Sequence, residues 1–186
     1  MKLLIVYGTT EGQTRKIAEF LALEAEKAGA EPTLCDASME QISPDRYDAV
    51  MIGASMHMHK YQASITHYAK EHLGTLNALP TAFFSVSLAA LAAGYDAESY
   101  TELKDITMHF FVDTGWNPTV TEYIPGALRY TQYDFFKKFI MRQIAKSGGS
   151  KDTDTSKDVE YTDWEKVRKF LSGFLLTVKA RGVAVV

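Results

Sequence analysis

A short segment near the amino terminus contains the residue types that bind a terminal phosphate. It follows an apolar run at 3–7 and precedes an amphipathic stretch, the pattern of a buried strand, a tight turn and a helix. In such a turn, free backbone N–H groups and the positive end of the helix dipole point at one spot. Three threonine hydroxyls add donors, and two glycines let the backbone close round a ligand. The segment reads Gly8-Thr9-Thr10-Glu11-Gly12-Gln13-Thr14.

The lack of a lysine in this segment narrows the kind of anion site that it predicts. The segment is not a P-loop, and its glycine spacing is not that of the dinucleotide-binding G-x-G-x-x-G motif. A site made of hydroxyl and amide groups without a cation suits a phosphate monoester. An ordinary turn between strand and helix is the alternative that the spacing leaves open.

Two later segments are expected beside the same site. The loop predicted at 55–61 has soft and aromatic side chains, which suit a flat conjugated ring. A second loop beside the ring is predicted at 88–95, after a strand that ends in Ser85-Val86-Ser87. His57 and His59 are candidates for accepting a proton near neutral pH, and simple packing is the alternative. No acidic or cysteine partner lies near them in the sequence, so no metal site is expected.

Apolar runs alternate with stretches of helical periodicity along the chain. This alternation predicts a parallel, doubly wound sheet whose ligands bind at the carboxyl ends of the strands. A capping box formed by Thr162 and Glu165 predicts the start of a closing helix. We therefore predict an α/β three-layer sandwich with a five-stranded parallel sheet. Its strands are expected at 3–7, 32–35, 49–52, 80–86 and 119–124, and its earlier helices at 14–28, 62–73 and 98–111.

The composition is that of one globular domain, which we predict to span residues 1–186. The chain has 186 residues, of which 46% are apolar and 23% are charged, and its formal net charge of -3 gives no support to nucleic-acid binding. Cys35 is the single cysteine, which excludes a disulfide framework and predicts a buried, unreactive thiol. Neither a signal peptide nor a membrane span is recognised, so a cytoplasmic location is expected.

A helical insert is predicted at about 129–160, after the last strand. Its apolar positions recur at helical spacing, and basic side chains decorate the remainder. A basic amphipathic helix can lie on an anionic membrane surface or pack on a core with its charges in solvent. Both interpretations stay open, so a peripheral location on the inner face of the membrane is the alternative to a purely cytoplasmic one. The helix at 135–146 presents Phe135, Phe136, Phe139, Ile140 and Ile144, with Lys137, Lys138, Arg142 and Lys146 around them.

The phosphate-binding segment resembles the phosphate loop of flavodoxins. The shared pattern is a threonine or serine, two residues, a glycine, one residue and a threonine, directly after the first strand; here it is Thr9-Thr10-Glu11-Gly12-Gln13-Thr14. The resemblance implies a flavodoxin-like fold with the strand order 2-1-3-4-5. It also implies that the loop holds the phosphate of FMN.

Further segments resemble the quinone-dependent protoporphyrinogen IX dehydrogenase family over roughly residues 1–174. The second half is the more specific part, because ordinary flavodoxins lack its Gly-Ala-Leu-Arg-Tyr and Tyr-Thr-Asp-Trp sequences. The resemblance implies a long-chain flavodoxin fold with FMN, and the six-electron oxidation of protoporphyrinogen IX to protoporphyrin IX in haem biosynthesis, with a quinone as acceptor. The matching segments are Gly53-Ala54-Ser55, Ala82-Phe83-Phe84-Ser85-Val86, Gly126-Ala127-Leu128-Arg129-Tyr130, Gly148-Gly149, Thr153-Asp154-Thr155 and Tyr161-Thr162-Asp163-Trp164-Glu165.

The resemblance also implies which residues bind the cofactor and the substrate. The phosphate would be held by Thr9, Thr10, Glu11, Gly12, Gln13 and Thr14. The ring would be lined by Ser55, Met56, His57, Met58, His59, Ser85, Val86, Ser87 and Leu88, and the site closed by Gly126, Ala127 and Leu128. Candidate substrate contacts are Arg129, Tyr130, Lys137 and Lys138. No residue stands out as an obligatory general base, so His57 and His59 remain the candidates.

One segment departs from the pattern of this family. The loop at 88–98 is basic in familiar members, where it would suit the propionates of a porphyrin, but here it has no positive charge. Two alternative functions are therefore kept. A flavodoxin-type electron carrier would use Tyr61 and Tyr95 beside the ring, with Asp96 and Glu98 as docking acids. An FMN-dependent quinone reductase would keep the fold without the porphyrin substrate.

Replacing Phe136 and Phe139 together by aspartate is expected to weaken membrane binding, because both side chains lie on the apolar face predicted at 135–146. Co-sedimentation with liposomes measures the effect. A folded double variant that co-sediments as well as the unaltered protein would remove the membrane interpretation.

Overall fold

Five parallel strands form the centre of the computed structural model, which describes residues 1–128 and 159–182. The strands in chain order are β1 (Lys2–Gly8), β2 (Glu31–Asp36), β3 (Ala49–His57), β4 (Lys60–Tyr61), β5 (Thr81–Ser87) and β6 (Val120–Pro125). Their order across the sheet is β2-β1-β3-β5-β6, and β4 folds back antiparallel on the end of β3. Counting the parallel strands alone, this is the order 2-1-3-4-5, so the predicted fold class is confirmed.

Six helices surround this sheet in the described residues. They are α1 (Gln13–Lys27), α2 (Ala63–Glu71), α3 (Leu73–Ala78), α4 (Ala89–Ala93), α5 (Ala97–Thr114) and α6 (Trp164–Ala180). A single 3-10 turn lies at Pro44–Arg46, and a small antiparallel pair is formed by β7 (Ala127–Leu128) and β8 (Val159–Glu160). None of these helices is long and apolar enough to cross a membrane.

The two faces of the sheet carry separate apolar cores because neighbouring side chains of a strand point to opposite sides. Leu3 and Ile5 of β1 pack with α1 and α6, whereas Leu4 and Val6 pack with α2, α3 and α5. All four side chains are fully buried, as expected for a parallel sheet covered on both faces. Cys35 lies buried in β2, where burial raises the pKa of its thiol.

Phe84 of β5 shows why a glycine occupies the middle of β3. A Cβ atom at Gly53 would lie 2.0 Å from the ring of Phe84, so only glycine allows this ring to pack against the neighbouring strand. The resulting close approach holds β3 and β5 together directly before both strands reach the site edge.

Three sequence predictions of local structure were wrong. Strand β3 continues to His57 instead of ending at Ile52, and α4 forms where a loop was expected at 88–95. The cap of α6 is Asp163, whose carboxylate accepts a hydrogen bond from Lys166 N at 3.0 Å. Thr162 is not the cap because its hydroxyl is used in tertiary hydrogen bonds.

The predicted insert lies almost entirely outside the described residues. Of the range 129–160, only β8 is described. The candidates Arg129, Tyr130, Lys137 and Lys138 and the amphipathic helix at 135–146 therefore have no structural description, and the single-domain span 1–186 stays a prediction.

Candidate functional site

Helix α1 begins at a glycine that offers no side-chain cap. Gly12 is the N-cap residue, with a φ of 90° that favours glycine, and Thr9 Oγ1 accepts the Gly12 N–H at 2.9 Å. The first helical turn contains no acidic residue. Its N–H groups have no carbonyl to bind within the helix, so the end of α1 presents donors and a positive dipole end to a ligand.

The hydroxyl of Thr14 is the second feature that indicates an anion site. Thr14 is 1% exposed, and its Oγ1 has no hydrogen-bond partner among the described residues. Leaving a buried hydroxyl unpaired costs about 1–3 kcal/mol. A ligand oxygen at the end of α1 would satisfy this group together with the N–H groups of the first turn.

Gln62 connects the turn at 8–14, which we call the phosphate turn, to strand β3. This residue was not predicted from the sequence to be part of the site. Its Nε2 donates to Thr10 Oγ1 at 3.2 Å and to the hydroxyl of Ser55, which itself lies 3.3 Å from Thr10 Oγ1. Helix α2 approaches β1 so closely that a Cβ atom at Gly8 would lie 2.7 Å from Ile65 Cγ1. The only signal in the sequence is the position of Gln62 directly before α2.

A cavity of about 470 Å³ opens beside the start of α1, where β1, β3, β5 and β6 end. This is the place where doubly wound sheets bind ligands. Its size and mixed polar and apolar lining are those of a small-molecule site. The lining residues are Thr9, Glu11, Gln13, Thr14, Ser55, Met56, His57, Met58, His59, Val86, Ser87, Leu88, Ala89, Gly126 and Ala127.

Most residues predicted to bind a cofactor thus lie together, and a few do not line the cavity. Thr10 and Gly12 shape the turn. Ser85 lies on the face of the sheet covered by α2, α3 and α5, where its hydroxyl accepts a hydrogen bond from the hydroxyl of Tyr61. The side chain of Leu128 is outside the described set. Ala89 is an addition, because α4 brings its first residue to the cavity wall.

The far wall of the cavity is fastened to α1 through Thr162. Gln13 Nε2 donates to Thr162 Oγ1 at 2.9 Å, and this hydroxyl donates to Pro125 O at 2.8 Å. Gly126 N donates to Ser87 O at 3.2 Å, which continues the wall to the end of β5. Gln13 and Thr162, which are far apart in the sequence, therefore hold the phosphate turn against β6.

The β3–β4 hairpin forms one rim of the cavity and has a strained turn. Met58 and His59 have φ angles of 47° and 63°, a left-handed pair that hairpin turns usually fill with Asn-Gly. A non-glycine residue in this conformation costs of order 1–3 kcal/mol. Such strain persists only where the surrounding structure holds the backbone in place.

Tyr61 supplies that support from the strand after the turn. Its ring centroid lies 5.2 Å from that of Phe83 and 5.0 Å from that of Phe110. Its hydroxyl donates to Ser85 Oγ at 2.9 Å and lies 2.8 Å from Thr107 Oγ1. Burial raises the pKa of Tyr61 to about 12, against the opposing effect of these hydrogen bonds.

Tyr61 and Tyr95 are the two aromatic side chains that an electron carrier would place beside the flavin ring. Tyr61 packs in the core under the hairpin and Tyr95 is 61% exposed, and neither lines the cavity.

The two candidate histidines, His57 and His59, do line the cavity, and His59 Nε2 lies 3.7 Å from Glu102 Oε1. Within residues 1–128 and 159–182, no three His, Cys, Asp or Glu side chains are placed to hold a metal ion.

Comparison with known proteins relates the whole chain to one group. Residues 4–156 match the flavodoxin domain family. The chain is 36% identical over 171 residues to protoporphyrinogen IX dehydrogenase (quinone) of Escherichia coli K12, covering 91% of this chain and 92% of that one. It is 33% identical over 179 residues to the protein of the same name from Leishmania major, covering 93% and 74%. Oxidised flavodoxin 1 from Bacillus cereus has the same fold, with a TM-score of 0.54, 15% identity and coverage of 95% and 98%.

The support that Tyr61 gives to the hairpin predicts the effect of Tyr61→Phe. Removing the hydroxyl leaves Ser85 and Thr107 without this partner, so the free energy of unfolding at neutral pH should fall by about 1–3 kcal/mol. Between pH 10 and about 12 only the unfolded chain ionises Tyr61, so stability falls as pH rises through this window. The variant lacks this loss, and its deficit should shrink by on the order of 2 kcal/mol by pH 12.

Denaturant unfolding at several pH values measures both effects, with Tyr95→Phe as the control at an exposed tyrosine. A constant difference between Tyr61→Phe and the unaltered protein from pH 7 to 12 would contradict the account of a buried, protonated hydroxyl.

Proposed function

The chain belongs to the quinone-dependent protoporphyrinogen IX dehydrogenase family, built on a flavodoxin domain, and we propose that it oxidises protoporphyrinogen IX with FMN as cofactor and a quinone as acceptor. The observation that carries the choice of substrate is the 36% identity over 91% of the chain to an enzyme of that name. The described site supports the cofactor on independent physical grounds.

The residues at the end of α1 fit the phosphate of FMN. A phosphate monoester brings several acceptor oxygens, which match the uncapped N–H groups and the unpaired Thr14 hydroxyl. No lysine or arginine is among the described residues that line the cavity, so the anion would be bound by neutral donors and the helix dipole. We assign Thr9, Gln13 and Thr14 to this phosphate, with the backbone of Glu11 and Gly12, and Thr10 positions the turn through Gln62.

The two strand ends beside the phosphate site fit the flat ring of a flavin. Met56 to His59 form one wall and Val86 to Ala89 the other, and Gly126 and Ala127 close the third side. Soft methionine and leucine side chains pack well on an aromatic face. Ser55 and Ser87 add hydroxyls at the two strand ends, where they can meet polar edges of the ring.

A bound FMN accepts electrons as a hydride and passes them on singly or in pairs, so the cofactor carries the hard chemical step. The chain's own residues hold the phosphate, flank the ring and keep the side between the two walls open to a second molecule. Full oxidation of protoporphyrinogen IX removes six electrons and six protons, which balances with the reduction of three quinones to quinols. His57 and His59 are the two imidazoles that line the cavity, and we propose them as the proton acceptors.

The substrate contacts and the membrane contact are further parts of this proposal. Arg129 and Tyr130 follow the cavity wall closely in the sequence, and Lys137 and Lys138 come later in the same segment. We propose that these residues supply cationic and aromatic contacts. The basic amphipathic stretch at 135–146 would bring the protein to an anionic membrane, in which a quinone dissolves. This arrangement supports a cytoplasmic protein that associates with the inner face of the membrane.

The electron-carrier alternative is less well supported by the cavity. Carriers place aromatic rings beside the flavin, but Tyr61 and Tyr95 do not line the cavity. Glu11 is the one acid among the described lining residues, so the described cavity wall itself offers few acids for docking. A quinone reductase without a porphyrin substrate would use the same walls, and only the choice of reductant separates it from the proposed enzyme.

Anaerobic turnover with protoporphyrinogen IX and menadione tests the proposal on purified protein whose flavin spectrum has been recorded. Quinone-dependent porphyrin fluorescence above the rate without enzyme is the expected result. A flavin spectrum without turnover would support a carrier or another reductase. A protein that takes up no flavin from added FMN would overturn the assignment of the cavity.

Replacing Thr14 by valine should weaken FMN binding without destabilising the protein in the absence of FMN. The hydroxyl has no described partner, so its removal costs nothing until the phosphate is bound. Loss of one hydrogen bond to a charged group should raise the Kd of FMN about tenfold or more, as measured by flavin fluorescence quenching. Thr101→Val, at an exposed position of α5, is the control. Equal affinities in the three proteins would contradict the phosphate site.

A further inference from the structure

A second cavity lies on the other side of the β3–β4 hairpin, between the start of α2 and one face of α5. Its volume is about 560 Å³, and we refer to it as the α2–α5 groove. Its floor is apolar, formed by the rings of Tyr61 and Phe110 and by Ile106. The groove is separate from the cavity assigned to FMN, although its floor includes Tyr61, which supports the hairpin.

The rim of the groove is rich in nitrogen donors. Lys60 and Lys70 line it with three imidazoles, and Asp113 is the one carboxylate among the described lining residues. Asp113 is bound by Lys70, with 3.0 Å between Nζ and Oδ2. Lys60 is exposed and has no ion-pair partner within residues 1–128 and 159–182. Two of the imidazoles also face acids, with His59 Nε2 3.7 Å from Glu102 Oε1 and His67 Nε2 3.3 Å from Glu71 Oε2. Among the described lining residues, Lys60 is therefore the lysine left for a ligand. An apolar floor beside it suits a flat apolar molecule that carries carboxylates.

The hairpin joins this groove to the cavity assigned to FMN. His59 lines both cavities, so its side chain stands at the boundary between them. The turn residue before it, Met58, is 93% exposed and presents an apolar side chain on the ridge. A molecule that reaches from the groove to the flavin would pass over this ridge and cover an otherwise unfavourable exposed methionine.

The two cavities differ in the charged side chains that line them. The cavity assigned to FMN has no lysine or arginine among its described lining residues, and the segment 88–98 brings none. The groove has two lysines. Among the described residues, a substrate with carboxylates and a large apolar ring therefore finds its apolar contact at the hairpin ridge and its cationic contacts in the groove.

We propose that the α2–α5 groove binds the propionate carboxylates of the tetrapyrrole substrate, with Lys60 as the main cationic contact and Lys70, which it would share with Asp113, as the second. This inference rests on the proposed function, because it presumes a tetrapyrrole dicarboxylate as substrate. Both propionates of protoporphyrinogen IX lie on one edge of the macrocycle. With that edge in the groove, the rest of the ring extends across Met58 toward the flavin, where oxidation takes place.

The test compares protoporphyrin IX with its dimethyl ester, which has the same ring without the charges. Binding of each to the FMN-loaded protein is measured by quenching of porphyrin fluorescence, for the unaltered protein and for the double variant Lys60→Gln, Lys70→Gln. The variant should bind the free acid about tenfold more weakly, because the Lys60 contact is lost and Asp113, without Lys70 as its counter-ion, repels a carboxylate. It should bind the uncharged ester as well as before. The KM for protoporphyrinogen IX should rise similarly, whereas kcat and the KM for menadione should stay unchanged.

Lys104→Gln is the matched control, since Lys104 is exposed on α5 but does not line the groove. Equal weakening of acid and ester, no weakening of the acid, or the same effect in Lys104→Gln would overturn the groove assignment. Turnover by the unaltered protein decides the proposed function separately. An active enzyme whose acid binding is unchanged in the double variant loses only the groove, whereas an inactive protein that binds neither porphyrin loses both proposals.

Discussion

The register of the parallel strands is the constraint on which the site depends. Gly8 pairs with Ala54, Ser55 with Val86, and Ser87 with Pro125, so four strands reach the same edge almost level with one another. A shift of one residue in any pair would exchange the two faces of that strand and open the apolar cores. The burial that fixes the register thereby also fixes the distances between the phosphate turn and the two ring walls.

Burial in the core between the sheet and helices α2, α3 and α5 also stabilises a backbone conformation that the site requires. The left-handed turn at Met58 and His59 is unfavourable on its own, but Tyr61 anchors the following strand in the aromatic cluster. Burying this ring offsets part of the cost of the turn. The hairpin can therefore stand as a fixed ridge between two cavities of different chemistry.

The division of charge between the two cavities has a simple physical advantage. In the proposed site, neutral donors and a helix dipole would bind the FMN phosphate, so the lysines of the α2–α5 groove would not be needed for that anion. Substrate and cofactor would then not compete for the same cations. The tetrapyrrole would be oriented by charge at one edge and by apolar contact at the other, which is the arrangement that presents one region of its ring to the flavin.

The sequence by itself determined the features that are contiguous in the chain. The first strand, the glycine and threonine turn and α1 follow one another within 27 residues, so local periodicity and composition were enough to predict them. The alternation of later strands and helices likewise predicted a parallel, doubly wound sheet, whereas the strand order was implied by the resemblance to flavodoxins. Only the tertiary structure decided the roles of Gln62 and Thr162, because Gln62 lies 52 residues from its partner Thr10 and Thr162 lies 149 residues from its partner Gln13. It also decided the burial of Tyr61, since strand pairing turned that side chain toward the core and away from the ring.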